Sequence, residues 1–122
     1  MLGLSLDTMA DGHAVARLRY GDHVTRPGGT IAGPALMALA DYAMYAVLLS
    51  ALGRVELAVT TSMHVNFLRR PGPVDVLGEG RVLKLGRRLA VMEVTLYSAD
   101  ARERPVAHVT GTYSIPPPDG AG

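Results

Sequence analysis

One carboxylate stands alone in the most apolar part of the chain. Asp41 is the only charged side chain between Arg26 and Arg54. An ionised carboxylate in apolar surroundings is costly unless it has a partner or reaches water, and aspartate is a poor helix former. Because Asp41 departs from the local pattern without a local benefit, it is a candidate general base or nucleophile. The alternative is a structural carboxylate that is hydrogen-bonded to the backbone or to a tyrosine, and Tyr45 lies one turn further on.

The start of the same apolar segment offers a hydrogen-bond donor. Pro34 follows Gly33, and proline is favoured in the first turn of a helix. The first N–H groups of a helix have no partner within it and lie at the positive end of its dipole. Asp41 follows Gly33 by a little over two turns. A carbonyl oxygen held at the Gly33 N–H could therefore lie on the same side as the carboxylate, which is the layout that acyl transfer requires.

The elements that must position these groups follow from the pattern along the chain. Residues 34–52 are rich in Ala, Leu and Met and predict a long helix that ends at Gly53. Its apolar residues cover every face, so we expect a sheet to wrap around it. Strand patterns lie at residues 13–20, 57–68, 74–85, 89–97 and 105–115. Short connections between them predict an antiparallel sheet.

These elements define the predicted fold class. It is α+β, with a curved antiparallel sheet of about five strands around one long central helix. Residues 1–122 form a single domain by length, with a frayed tail at about 117–122. Since five strands cannot enclose a helix fully, we expect a second subunit to cover the remainder.

Two of the predicted strands carry further detail. Residues 57–68 alternate, with Met63 on an apolar face and Thr60 on a polar face that also holds Ser62, His64 and Asn66. Gly78 and Gly80 interrupt the next strand and predict a bend or bulge there.

Composition excludes several classes of function. A net charge of +1 gives no basic surplus for binding the phosphates of a nucleic acid. Without cysteine there is no disulfide, thiolate metal site or cysteine nucleophile. The four histidines lack metal-ligand spacing, and no dinucleotide or phosphate-loop motif is present, so we predict neither metal nor cofactor.

Residues 31–52 are long enough to span a bilayer, but the central Asp41 argues against a membrane protein. The N-terminus lacks signal-peptide features, and we expect a cytoplasmic protein.

Three segments carry a resemblance to a known family. Residues 29–34 (GTIAGP) lead into Leu-Ala-Asp at 39–41, and residues 60–71 (TTSMHVNFLRRP) and 85–90 (LGRRLA) follow in order. Over residues 12–116 the chain resembles the hotdog-fold acyl-CoA thioesterases of the phenylacetate-degradation (PaaI-like) type. The resemblance implies a hotdog fold that hydrolyses an acyl-CoA thioester to free acid and CoA. It also implies a homodimer or homotetramer with the active site at the subunit interface.

The resemblance also implies residue roles. Asp41 matches the catalytic acid, acting as general base on water or as nucleophile, and the Gly33 N–H matches the donor to the thioester carbonyl. Thr60 falls where some members place a hydroxyl that holds the water. Arg87 and Arg88 match a turn that meets the CoA phosphates. Three further residues are predicted to bind substrate: Arg26, Thr61 and Tyr45.

Three positions depart from the family pattern. The family histidine is Ala32 here, its second glycine is Pro34, and an asparagine of the loop is Arg26. Arg26 could bind CoA or pair with Asp41 across the interface. The departures leave a second hypothesis open, a hotdog module that binds acyl-CoA or another apolar ligand without cleaving it. A dehydratase ranks lower because the helix region has no histidine.

Overall fold

The computed structural model describes residues 3–53 and 58–116, which form one helix and one sheet. In chain order the elements are β1 (Leu4–Ala10), β2 (His13–Leu18), α1 (Gly33–Leu52), β3 (Val59–Phe67), β4 (Val76–Leu85), β5 (Leu89–Ser98) and β6 (Ala107–Ser114). Neighbouring strands are antiparallel in the order β1-β2-β4-β5-β6-β3. The predicted α+β class, with one long helix on an antiparallel sheet, is confirmed. The predicted tail at 117–122 and the start of the predicted strand at residue 57 lie outside the described residues.

The sheet has six strands in the described residues, so the prediction of about five missed β1. This strand pairs with β2 through a tight turn at Asp11 and Gly12, both with positive φ. An Asp-Gly pair is a strong hairpin signal. The strand is hard to recognise from the sequence because it is a short, mostly exposed edge strand, and a register shift between Leu6 and Thr8 interrupts the alternation that Leu4 and Leu6 begin.

The helix lies close against one face of the sheet. It packs on β1, β2, β4 and β5, and it ends as predicted at Gly53, whose φ is 80° and whose N–H donates to the Leu49 carbonyl at 2.8 Å. Strand glycines permit the close approach, since a Cβ on Gly80 would come within 2.9 Å of Val47. The predicted irregularity in β4 is present, but it lies between Val82 and Lys84 rather than at the glycines.

One stripe of the helix is left uncovered by the sheet. Met37, Tyr45 and Leu52 are 43%, 41% and 36% exposed, and the half-exposed Asp41 lies among them. The sheet of one chain therefore does not enclose the helix fully, as the sequence analysis expected. By length and mean hydropathy α1 would suffice to span a bilayer, but half of its most apolar window is buried inside the protein, as in a core helix.

A bulge in β3 decides which of its side chains face the helix. The register with β6 shifts between Thr60 and Ser62, which leaves Thr61 as an extra residue. Thr60 lies opposite Tyr113, which is buried under the helix, so Thr60 faces the helix as well. Beyond the shift, Met63 faces the same side. The predicted alternation, with Thr60 and Met63 on opposite faces, is therefore wrong at Thr60.

Candidate active site

The Asp41 carboxylate is held through one of its two oxygens. Its Oδ1 accepts hydrogen bonds from the Thr60 hydroxyl at 3.0 Å and from the Tyr113 hydroxyl at 2.7 Å. Among the described residues, no group donates to Oδ2 and no basic side chain forms a salt bridge with Asp41. The arrangement fixes the orientation of the carboxylate and leaves one oxygen open on the half-exposed stripe. It suits a group that must accept a proton from water or attack a carbonyl carbon.

Tyr113 is the residue of this site that sequence reasoning missed. Its side chain is only 3% exposed, and this burial raises the pKa of the hydroxyl well above its usual value. The Thr60 hydroxyl opposes the rise in pKa, whereas the Asp41 carboxylate adds to it. Tyr113 therefore keeps its proton and stays a donor to Asp41. Alternation along β6 could have placed Tyr113 on the inner face, but not its pairing with Asp41.

The start of α1 presents an open backbone donor. The N–H groups of Ala35 and Leu36 both donate to the Ala32 carbonyl, at 3.0 and 3.2 Å, and Pro34 has no N–H. The Gly33 N–H finds no acceptor among the described residues. No side chain caps the helix, and its first turn holds no acidic residue. Gly33 is thus a free donor at the positive end of the helix dipole, as an oxyanion site needs.

A groove of about 680 Å³ lies beside Gly33. One wall comes from the turn that carries Arg26, which is closed by a hydrogen bond of 2.8 Å from the Arg26 N–H to the Thr30 carbonyl. The other wall comes from the end of β3 and the chain that follows it, and includes Phe67, Arg69 and Arg70. The structure thus brings together Gly33 and Arg26, as predicted site residues, and adds two arginines that the sequence analysis did not single out.

The other predicted residues lie away from this groove. Thr61, at the bulge, donates its hydroxyl to the Thr112 carbonyl at 3.1 Å. Tyr45 lies one turn after Asp41 on the exposed stripe, but the tyrosine bonded to the carboxylate is Tyr113. The exposed Arg87 and Arg88 form the β4–β5 turn and are separated from the groove by the length of β3.

The sheet register fixes where that arginine turn lies. Leu89 pairs with Ser114, and Ser114 also pairs with Val59, so the Arg87–Arg88 turn adjoins the first residue of β3. The groove lies at the last residue, Phe67, roughly 26 Å further along the strand. In one chain the turn therefore belongs to the Asp41 and Thr60 end.

Gly33 and Asp41 lie a little over two turns apart on α1. Eight residues of helix separate them by about 12 Å along the axis.

No metal centre accompanies these groups in residues 3–53 and 58–116, where no cluster of three potential ligands occurs. His13 and His108 each bond to a glutamate, Glu79 and Glu93, at 2.9 Å. These pairs lie on the sheet face away from the helix and do not contact the groove or Asp41.

Comparison with known proteins places this geometry in a family. The sequence profile of the thioesterase superfamily matches residues 28–104. A protein of Saccharolobus solfataricus, provisionally named an esterase, is 30% identical over 117 residues, covering 93% of this chain and 74% of the relative. A structure from Silicibacter sp. TM1040, provisionally named a thioesterase, is 49% identical with a TM-score of 0.84, covering 93% of this chain and 79% of that one. A mutant of the phenylacetic acid degradation protein PaaI from Thermus thermophilus is 29% identical with a TM-score of 0.81, covering 93% and 94%. The chain belongs to the thioesterase superfamily and has its hotdog fold.

Proposed function

We propose that the protein hydrolyses an acyl-CoA thioester to the free acid and CoA. The observation that carries the proposal is the Asp41 carboxylate, anchored through Oδ1 by Thr60 and Tyr113 with Oδ2 open. Both anchors are neutral hydroxyl donors, so they orient the carboxylate without a salt bridge. Membership of the thioesterase superfamily supports thioester hydrolysis in general.

The chemistry needs two groups. With the thioester carbonyl oxygen at the Gly33 N–H, Asp41 takes a proton from water, and the hydroxide adds to the carbonyl carbon. The tetrahedral intermediate collapses, the carbon–sulfur bond breaks, and the CoA thiolate leaves and takes up a proton. Alternatively, the Asp41 oxygen adds to the carbonyl carbon, the carbon–sulfur bond breaks, and the CoA thiolate leaves and takes up a proton. Water then hydrolyses the resulting mixed anhydride to the free acid and the Asp41 carboxylate. Both routes use the same open oxygen, Oδ2.

A second copy of the chain would complete the site. Both sheet edges are exposed and both contain a register shift, but they differ in charge, since β1 carries Asp7, which pairs with Arg17. Between Val59 and Leu68, β3 holds no acidic, lysine, arginine or proline residue, the usual means of blocking an edge. We therefore assign β3 and the exposed helix stripe to a homodimer interface, on which a tetramer could be built.

Two-fold pairing gives this interface a consequence for the site. When two β3 strands pair antiparallel, the Phe67 end of one lies beside the Val59 end of the other. Gly33 adjoins Phe67, and Asp41 adjoins Thr60 near the other end. Pairing thus directs Gly33 of one copy toward Asp41 of the partner subunit, in two equivalent sites.

The experiment is a panel of acyl-CoA esters assayed for free thiol, with wild type and Asp41→Asn. Asparagine keeps an acceptor for Thr60 and Tyr113 but cannot take a proton, so we expect turnover to fall about 10³-fold. Circular dichroism and the melting temperature should stay near those of wild type. Unchanged turnover in the variant would remove Asp41 from the chemistry.

A binding module is the second candidate, and Arg26 in the groove beside Gly33 favours it. Arg26 stands where the family that this chain resembles has an asparagine, so a positively charged side chain that could bind a ligand replaces a neutral one. Calorimetry with the same esters separates the two functions. Saturable binding without any release of thiol by the wild type would support the module over the hydrolase.

A further inference from the structure

We infer that Arg26 forms an ion pair with Asp41 of the partner subunit and acts on that carboxylate as a positioning residue. The inference rests on the homodimer of the proposed function, because Asp41 forms no salt bridge within the described part of its own chain. In that dimer, antiparallel pairing of β3 directs the groove that Arg26 lines toward the partner's Asp41. Each dimer then holds two such pairs.

The partly buried carboxylates show what Asp41 lacks in a single chain. Three of the four in the described residues form a salt bridge with an arginine, namely Asp75 with Arg17, Glu79 with Arg102, and Glu93 with Arg81. The fourth, Asp41, accepts hydrogen bonds only from two neutral hydroxyl groups among these residues. An interface over the exposed helix stripe removes further water from Asp41. A carboxylate that loses water in this way needs a cation or further donors in exchange.

The turn that carries Arg26 holds its backbone in place. The Arg26 N–H donates to the Thr30 carbonyl at 2.8 Å, and the Arg26 carbonyl accepts from the Gly29 N–H at 2.9 Å. Gly28 and Gly29 have φ values of 100° and 80°, which glycine adopts at no steric cost. The Tyr20 hydroxyl donates to the Gly29 carbonyl at 3.1 Å. The exposed Arg26 side chain, in contrast, has no salt bridge or side-chain hydrogen bond with any residue that the structure describes.

The two other arginines of the groove belong to a segment that runs back across the sheet from the β3 edge. Arg69 donates through Nε to the Pro105 carbonyl at 2.9 Å, just before β6, the neighbour of β3. Arg70 leads into Gly72, whose N–H is bonded to the last side chain of β5. Arg26 comes from the loop before the helix and has no such contact. It is therefore the groove cation that is available to a partner at the β3 edge.

The ion pair adds a third anchor to the carboxylate. Thr60 and Tyr113 hold Oδ1, so the guanidinium of Arg26 approaches Oδ2. A carboxylate oxygen has two lone pairs, and Oδ2 can accept from Arg26 and from the attacking water together. A cation at this distance favours the charged form of a carboxylate. Arg26 therefore keeps the partner's carboxylate able to accept a proton at lower pH than a neutral residue in its place.

A double-mutant cycle on dimer dissociation tests the pair without relying on activity. Wild type, Arg26→Gln, Asp41→Asn and the double variant are compared by sedimentation equilibrium. We expect the dissociation constant of the double variant to fall short of the product of the two single effects by about fivefold or more. Arg70→Gln combined with Asp41→Asn is the matched control from the same groove, and its effects should multiply. Multiplicative effects for Arg26 and Asp41, or a monomeric wild type, would overturn the inference.

The pH profile of kcat/KM tests the effect on the chemistry. With the acyl-CoA ester that releases thiol fastest, we expect the acid limb to begin about one pH unit higher in Arg26→Gln than in wild type. Arg26→Lys keeps the positive charge and should restore most of the difference. The other ionisable groups that the dimer brings near the carboxylate are the same in all three proteins: Tyr45, Tyr113, Arg69, Arg70, Arg87 and Arg88. A raised KM with an unmoved acid limb would mean that Arg26 contacts the ligand instead, and the ion pair would be rejected.

The two measurements separate this inference from the proposed function. Coupling between Arg26 and Asp41 in a dimer that hydrolyses no acyl-CoA ester would support the ion pair and reject the thioesterase. Hydrolysis by a dimer that shows neither the coupling nor the change in the acid limb would support the thioesterase and reject the ion pair.

Discussion

The start and the middle of α1 provide the two halves of the proposed chemistry in different ways. At the start, the functional group is a backbone N–H, freed by Pro34 and by the absence of a side-chain cap at Ala32. In the middle it is the side chain of Asp41, which depends on Thr60 and Tyr113. A backbone donor tolerates changes in the surrounding side chains, whereas a carboxylate function does not. The departures at Ala32 and Pro34 therefore leave the donor intact.

The surroundings of the two groups also differ in charge. Gly33 adjoins a groove with three arginines, and Asp41 adjoins only neutral hydroxyl donors among the described residues. A distance of about 12 Å along the helix keeps them apart in one chain. In the proposed homodimer, antiparallel pairing of β3 directs the groove of one copy toward the Asp41 of the other copy.

After the loss expected for Asp41→Asn, the largest effect in this comparison is expected from removing the Gly33 N–H. Gly33→Pro deletes the donor at a position where proline suits the helix, and Ala32 already has the extended conformation (φ −71°, ψ 144°) that a following proline requires. We expect kcat to fall about 10²-fold. Gly33→Ala is the control, because it keeps the N–H and its Cβ meets Phe67 at an ordinary 3.7 Å. Equal kcat values for Gly33→Pro and Gly33→Ala would show that the Gly33 N–H takes no part in the reaction.

The same variant tests whether the two halves come from different chains. Mixed with Asp41→Asn subunits and refolded together, Gly33→Pro subunits give heterodimers with one intact site and one doubly altered site. Random pairing should recover about one quarter of wild-type activity. A mixture no more active than its parents would place both groups in one chain.

A smaller effect is expected from Thr60, with Thr61 as its matched neighbour. The bulge turns the Thr60 hydroxyl to Asp41, whereas Thr61 donates to the Thr112 carbonyl. We expect Thr60→Ala to lower kcat by roughly three- to tenfold with KM little changed, since one hydrogen bond to the carboxylate is lost. Thr61→Ala should match wild type in kcat. A lower kcat for Thr61→Ala than for Thr60→Ala would show that Thr61, as the sequence predicted, is the residue that contacts the substrate.

The fold was largely predictable because its signals are local. The run of Ala, Leu and Met between Pro34 and Gly53 predicts the helix. Alternation of apolar and polar residues predicts the four strands that follow it, β3 to β6. The edge strand β1 (Leu4–Ala10) was missed because an exposed edge needs no apolar periodicity. The sequence also predicted that the sheet leaves part of the helix uncovered, but not which part, because the apolar residues lie on every face of the helix.

The site was predictable only in part, for a related reason. Asp41 and Gly33 stand out from their own segments, as an isolated charge and as a helix start. Tyr113 and the inward turn of Thr60 depend on pairing between distant strands and on a one-residue bulge, which reverses the alternation on one side of it. Arg69 and Arg70 gain meaning only when the end of β3 is placed beside the helix start.

The smallest expected effect concerns stability at alkaline pH. Burial raises the pKa of Tyr113 in the folded protein, whereas an unfolded tyrosine titrates near pH 10. The folded state therefore holds its proton where the unfolded state has lost it, and the free energy of unfolding should fall as pH rises above about 10. Below that pH, Tyr113 adds no pH dependence.

Tyr113→Phe isolates this contribution, since phenylalanine keeps the ring but cannot titrate. Tyr97, whose pKa is also raised by burial, remains in the variant and contributes a slope of the same sign. Urea unfolding from pH 8 to 11, at one protein concentration because the proposed dimer would otherwise shift the midpoint, should show a steeper alkaline decline in wild type than in the variant. Parallel curves would mean that the Tyr113 hydroxyl titrates alike in both states, and its role as a permanently protonated anchor of Asp41 would fail with them.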